Sequence, residues 1–325
     1  MAITSVANKT KKNKTMAGEE IGIFVSVLVI SLIVILVNPK FLTPLNLQNL
    51  SENISYVMII GIGMTGVMIS GGLDLSIGSV MAFASCISAL MMSSAGIPPF
   101  FAVIIGLAAS SLFGLINGLL IVQVGIPSFI VTLGSMQIAR GIVQAITKGR
   151  PIYPLPESFS FLGTGLIAGI PCSVIIMIVL ALIFNFLYKN TPYGRGIYAI
   201  GGNFEAARLA GLSVRKISMS VYIITSLLAG LSGIIMTSKM SSAQVSLGTG
   251  WEFKVITAVI IGGTSMMGGI GTILGTLLGA ILMGVIQNGM ILLRISIYWQ
   301  NIVIGLIIIF AVTLDVVRRK KMGVA

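Results

Sequence analysis

The chain has 325 residues, of which 56% are hydrophobic and only 9% charged, with a mean hydropathy of +1.08. A soluble domain carries about 25% charged residues, so this is the composition of an integral membrane protein. The formal charge of +12 sits at the ends of apolar runs rather than in one patch, which marks topology and excludes nucleic acid. Histidine is absent, and the two cysteines, Cys86 and Cys172, lie in or beside apolar segments without ligand spacing, which argues against a metal enzyme.

Lys9, Lys11, Lys12 and Lys14 precede an apolar run at 21–37. The run is long for a signal peptide, and Asn38-Pro39-Lys40-Phe41 offers no small-x-small cleavage motif, so it is read as a retained first membrane helix. Further apolar runs of crossing length, about 17–25 residues, fall at 54–70, 79–95, 100–122, 127–147, 166–187, 217–239, 252–265, 273–293 and 300–316. The expected fold is therefore an all-α polytopic membrane protein of about ten transmembrane helices. The eighth run is short, and Gly262-Gly263 and Gly268-Gly269 make its inner end irregular. Pro98-Pro99, Pro127 and Pro171 sit at or near helix starts, where proline is tolerated.

Between the second and third runs lies Ser70-Gly71-Gly72-Leu73-Asp74-Leu75-Ser76-Ile77-Gly78-Ser79. It is too apolar for an ordinary turn and too glycine-rich for a continuous helix. Irregular backbone at membrane depth survives only when buried in protein or lining a wet cavity. Two readings follow. The segment is a broken helix beside a translocation path, with Asp74 capping a helix start or bonding exposed amides. Alternatively it is a plain inner turn in which Asp74 caps the third span, with Ser76 and Ser79 along its first turn. Gly262-Gly263-Thr264-Ser265-Met266-Met267-Gly268-Gly269 has a related pattern. Aligning Gly71-Gly72 with Gly262-Gly263 matches spans two and three to spans eight and nine, which predicts a two-fold internal pseudo-repeat. Gly271, Gly275 and Gly279, like Gly114 and Gly118, recur every four residues and are expected to line close-packing helix faces. Gly61-x-Gly63-x-x-Gly66 matches a dinucleotide fingerprint only formally, because no strand precedes it.

Loop 188–216 is the largest polar interruption of the chain. It carries Lys189, Arg195, Arg208, Arg215 and Lys216, with Glu205 as its only acid. Glu205-Ala206-Ala207 followed by Gly211 reads as a short amphipathic helix closed by glycine. A chain reversal does not need such a loop, so a docking surface for a cytoplasmic partner is expected. Ten spans put both termini on one side. If that side is the cytoplasm, it holds thirteen Lys and Arg: the N-terminal four, five in loop 188–216, and Arg318, Arg319, Lys320 and Lys321. The outer loops hold five, Lys40, Lys148, Arg150, Lys239 and Arg294, which obeys the positive-inside rule. Arg140 and Lys254 lie in spans near their outer ends, where they can snorkel. Trp251 and Trp299 are expected at outer helix ends, in the aromatic belt.

Polar residues within the spans are few: Asn117, Thr132, Gln137, Gln144, Thr225, Gln287, Asn288 and Gln300. Uncharged groups suit a path for a neutral polyhydroxylated solute. Each can instead bond a neighbouring helix, worth on average about 0.6 kcal/mol. The path candidates are Asp74, Ser76, Ser79, Asn117, Gln137, Thr264, Ser265 and Asn288. Proton- or sodium-coupled transporters usually keep intramembrane carboxylates, so their scarcity here disfavours a secondary transporter. The absence of histidine and of a carboxylate pair disfavours a membrane enzyme.

Several stretches in order then resemble the permease subunits of bacterial ABC importers for monosaccharides, the ribose, xylose, arabinose and galactose type. They are Asn38-Pro39-Lys40-Phe41-Leu42-Thr43, the Gly71–Ser79 segment, Ala199-Ile200-Gly201-Gly202-Asn203 leading into Glu205-Ala206-Ala207-Arg208-Leu209-Ala210-Gly211, Ser241-Ser242-Ala243-Gln244, Ile261-Gly262-Gly263-Thr264-Ser265, Gly268-Gly269 and Asn288-Gly289. The resemblance runs from about residue 40 to 316. It implies a non-catalytic subunit, dimeric in the bacterial cytoplasmic membrane, with no cofactor of its own. ATP would be used by a partner ATPase, and an extracytoplasmic binding protein would supply most of the specificity. The charge count and the apolar runs divide the chain into a basic cytoplasmic tail at 1–20, a permease domain at 21–316 and a second basic tail at 317–325. Loop 188–216 then resembles a coupling loop, with Asn203, Glu205, Ala206, Ala207, Arg208 and Gly211 as coupling residues. Related permeases carry nucleosides or a furanosyl signalling molecule, so the resemblance leaves the solute open.

Overall fold

The computed structural model describes residues 2–322, with side chains placed over 20–317. The side chains of Lys9, Lys11, Lys12, Lys14 and of Arg318 to Lys321, on which the charge count partly rests, lie outside the described residues. The helices are α1 (Ala2–Val37), α2 (Pro44–Ile69), α3 (Ile77–Ser93), α4 (Pro99–Leu119), α5 (Ser128–Thr147), α6 (Glu157–Thr164), α7 (Cys172–Asn190), α8 (Pro192–Gly202), α9 (Phe204–Leu209), α10 (Val214–Met240), α11 (Trp251–Ile261), α12 (Ile273–Leu292) and α13 (Ile297–Met322). A helix falls on each of the ten apolar runs. Eight are long and apolar enough to cross a membrane; α3 and α11 are the exceptions.

The eighth expected span, 252–265, is corrected. Eleven residues at about 1.5 Å each reach only about half the hydrocarbon core of about 30 Å. The helix stops because Gly263 is left-handed (φ +85°). The amides of Gly263 and Thr264 turn back to the carbonyls of Ile260 (2.8 Å) and Val259 (3.1 Å), the Schellman way of satisfying the last carbonyls. The same closure ends α2, where Gly71 (φ +85°) bonds Met68 and Gly72 bonds Val67, both at 2.9 Å. The two caps therefore pair Gly71 with Gly263, one residue away from the expected alignment. The sixth run also starts later than expected, since 166–171 forms a two-residue hairpin ahead of α7.

Helix α2 is the centre. Every residue from Ile54 to Ile69 is buried, as befits a helix apolar all round. It is enclosed by α7, α10, α11 and α12. Close approach explains the small residues: a Cβ on Gly63 would fall 2.6 Å from Thr225 Cα, and one on Gly114 2.6 Å from Ile223 Cα. Gly275 and Gly279 pack on the backbone of α11, whereas Gly271 precedes α12 and belongs to no helix face. Helices α1 and α13 lie at the periphery and expose Leu32, Leu36, Ile309 and Phe310, a surface suited to hydrocarbon rather than water.

One end of the bundle gathers the inner parts of the expected topology. Gly269 N–H bonds Ile69 O (2.8 Å), Tyr198 Oη bonds Gly271 O (2.6 Å), Thr272 Oγ1 bonds Glu20 Oε1 (2.9 Å), and Ser265 Oγ bonds Asp315 Oδ2 (2.9 Å). The ends of the first and last spans, loop 188–216 and both glycine segments therefore share a face. The opposite end is tied by Asn38 to Leu292 O, by reciprocal amides of Asn46 and Asn288 (3.0 and 2.8 Å), and by the Lys239–Glu52 ion pair. Glu52 is buried there. Trp299 is exposed as a belt residue should be, but Trp251 is half-buried with the Lys254 ammonium 5.5 Å over its ring.

Candidate functional site

Beyond Gly72 the chain runs without regular structure into the interior. Leu73 N–H is held by Ser128 Oγ (3.2 Å) and Leu73 O by the Thr132 hydroxyl (3.5 Å), so α5 supplies partners that a helix would have supplied internally. Asp74 is fully buried. Its Oδ1 accepts the Ser76 amide (2.8 Å) and the Ser76 hydroxyl (2.6 Å), which turns the chain into α3. Asn117 Nδ2 donates to Ser76 Oγ (3.2 Å), and Ser135 Oγ donates to Asn117 Oδ1 (2.5 Å). Asp74, Ser76, Asn117 and Ser135 thus form one buried polar chain across α3, α4 and α5. Asp74 Oδ2 has no partner in it.

Immediately above, the first turn of α3 meets the segment that leads into α11. A Cβ on Gly78 would collide with the Gly248 carbonyl, so backbone touches backbone. Arg140, expected to snorkel outward, instead donates to the carbonyls of Val245 (2.6 Å) and Leu247 (3.0 Å) and reaches Gly78 O at 3.5 Å. It braces the first turn of α3 against the irregular segment ahead of α11.

The remaining path candidates are dispersed. Ser79 is buried on the first turn of α3, next to the cluster. Gln137 is exposed, on a different face of α5 from Ser135. Thr264 and Ser265 are buried at the inner end, and Asn288 is at the outer end with Asn46. Ser135 was missed by the sequence reading, although Ser128, Thr132 and Ser135 follow helical spacing (i, i+4, i+7) and mark a polar stripe on α5.

On the inner face, Thr191 caps α8 by accepting Gly194 N–H (3.2 Å), and Asn203 caps α9 by accepting Ala206 N–H (2.9 Å). Gly211 (φ +79°) closes α9, its amide bonding Arg208 O. Ala207 is buried against Ile200 and Val214, so it seats the helix rather than facing outward. The outward side presents Ala206, the Glu205–Arg208 ion pair (2.8 Å), Phe204 at 49% exposure and Leu209 at 80%. Phe204 and Leu209 do not stand out in the sequence as docking residues, because apolar residues carry no signal in so apolar a chain. Burial raises the Tyr198 phenol to about 12, so it remains a donor to Gly271 O and locks α8 to the second glycine segment.

Residues 46–312 match the family model described as branched-chain amino acid transport system / permease component. The chain belongs to that family. It is 40% identical over 305 residues to the ribose import permease protein RbsC of Bacillus subtilis (strain 168), covering 93% of this chain and 94% of the relative. It is 35% identical to the L-arabinose ABC transporter permease protein AraH of Azospirillum brasilense (92% and 88% covered) and 34% identical to the D-allose transport system permease protein AlsC of Escherichia coli K12 (96% of each). No solved structure matches the chain with significance. Family and architecture together make this a multi-pass membrane permease.

Proposed function

We propose that the chain is the non-catalytic, membrane-spanning subunit of an ATP-driven importer in the bacterial cytoplasmic membrane, and that it passes a monosaccharide, a ribose-like pentose or a hexose, inward. The carrying observation is α9: a capped helix on the end that also holds Glu20 of the first span and Asp315 of the last, with Phe204 and Leu209 uncovered around an ion pair. A monomer has no use for such a projection, and an ATPase groove fits it. The relatives' names, which specify ribose, arabinose and allose, support a sugar. In this reading the face with α9 and both tails is cytoplasmic, residues 21–316 form the permease domain, and two permease copies share one ATPase pair. ATP binds the partner only, and an extracytoplasmic sugar-binding protein delivers the solute. The chain of Asp74, Ser76 and Asn117 beside the Gly78–Gly248 contact is the polar element closest to a route between the halves.

The test is reconstitution in proteoliposomes with a partner ATPase and a sugar-binding protein. Labelled ribose, arabinose and allose should enter only with ATP and all three components present. Uptake by this chain alone, driven by an ion gradient, would establish a secondary transporter instead.

A further inference from the structure

A cavity of about 960 Å³ opens at the inner face between α1, α7, α8 and the start of α12, and neither α9 nor the broken-helix cluster uses it. Its walls are apolar where α7 and α12 contribute Leu182, Leu274 and Leu277. At its rim stand Lys189 and Arg195, both exposed. Among the described residues the ion pairs are Arg208–Glu205 and Lys239–Glu52, so neither rim cation has a carboxylate partner. A third source of positive potential is the start of α12. The first amides of a helix lack internal acceptors. Thr272 Oγ1 serves that of Gly275 (2.9 Å), while Ile273 and Leu274, which line the cavity, gain no such side-chain cap. The single anion present, Glu20, accepts from the Thr272 hydroxyl.

We propose that this cavity binds one anionic phospholipid of the cytoplasmic leaflet, its phosphate between Lys189 and Arg195 and its acyl chains along α7 and α12. A soluble anion would gain nothing from the apolar wall. A zwitterionic lipid would bring its own cation to compete with the rim. An anionic lipid satisfies both features, through charge-assisted bonds to the phosphate and burial of its first methylenes. From the level of the cavity into the membrane α7 stays apolar and uncovered through Phe186, Leu182, Val179 and Ile178, a track for the chains. Basic pockets between membrane helices on the cytoplasmic side recognise anionic headgroups in this way. The proposal rests on the topology proposed above only for the choice of leaflet.

The full-length permease, purified in mild detergent and delipidated, would be titrated with phosphatidylglycerol, phosphatidylcholine and soluble glycerol 1-phosphate, with bound species counted by native mass spectrometry. Phosphatidylglycerol should bind one per chain and at least about tenfold tighter than phosphatidylcholine, and glycerol 1-phosphate should not displace it. The double substitution Lys189→Ser with Arg195→Ser should weaken it about 30-fold, the effect of losing two basic residues. Leu274→Trp, which leaves both cations in place and fills the cavity from an exposed position, should also exclude it. Equal binding of the two lipids, unchanged affinity in the double variant, or displacement by glycerol 1-phosphate would overturn the proposal. So would a disulfide between two copies carrying Arg195→Cys, since a second permease would then cover the cavity. None of these readouts depends on transport, so they stand or fall apart from the proposed function.

Discussion

The two carboxylate oxygens of Asp74 have different surroundings: Oδ1 takes two hydrogen bonds from Ser76, and Oδ2 takes none in a fully buried setting. Nothing cationic compensates the charge at that spot, because Arg140 is committed to the carbonyls of Val245 and Leu247. The bonded oxygen does local work, and an amide oxygen can do the same. Asp74→Asn should therefore keep most of the sugar uptake measured in proteoliposomes. Asp74→Ala should lose far more, since the turn into α3 forfeits about 0.5–2 kcal/mol and leaves Ser76 N–H unsatisfied. If Asn transports as poorly as Ala while inserting normally, the negative charge itself is required and the capping role is wrong.

Glycines decide how closely the elements can approach, and they do so one position at a time. A Cβ on Gly201 would overlap the Ile69 carbonyl oxygen, while one on the adjacent Gly202 would meet nothing within 4 Å. Gly201→Ala should thus push α8 from the end of α2 and destabilise the protein by about 1–3 kcal/mol, the usual range for overpacking. Gly202→Ala should be nearly silent in the same thermal-unfolding assay, and equal effects would show that α8 is not seated as described. Such pairs also explain what could be read from the sequence. Runs of apolar residues located every membrane helix, because hydrocarbon length is a one-dimensional property of a chain. The irregular inner end of α11 was legible in Gly262-Gly263, but the position of its stop at Ile261, four residues inside the expected end, depends on the left-handed turn at Gly263. The inward fold of 241–250 was hidden, because it is fixed by Arg140 and by the Gly78 backbone, partners far away in sequence. Asp74, Ser76 and Asn117 were legible as rare polar residues; that Asn117 and Ser76 touch, and that Gln137 and Asn288 lie elsewhere, depends on helix rotation and depth.

For the whole assembly, α9 is the handle by which a partner would move the bundle. The Glu205–Arg208 pair is about two-thirds exposed, and exposed pairs contribute about 0–1 kcal/mol, so charge reversal there should not unfold anything. Glu205→Arg or Leu209→Asp should leave the thermal midpoint unchanged yet abolish ATP-driven uptake and co-purification of the ATPase. Normal transport in both would remove α9 from the coupling role. The central position of α2 has a consequence in time as well as in space. Thr65 meets Thr276 across 211 residues, and Glu52 meets Lys239 across 187. Ribosomes deliver the spans in order, so the helix destined for the middle is made second and its polar partners arrive near the end. Until α10 to α12 emerge, α2 must wait with a carboxylate and several hydroxyls uncovered, sheltered by the insertion machinery or held at its edge. The bundle is therefore assembled around a core that cannot settle until synthesis is almost complete.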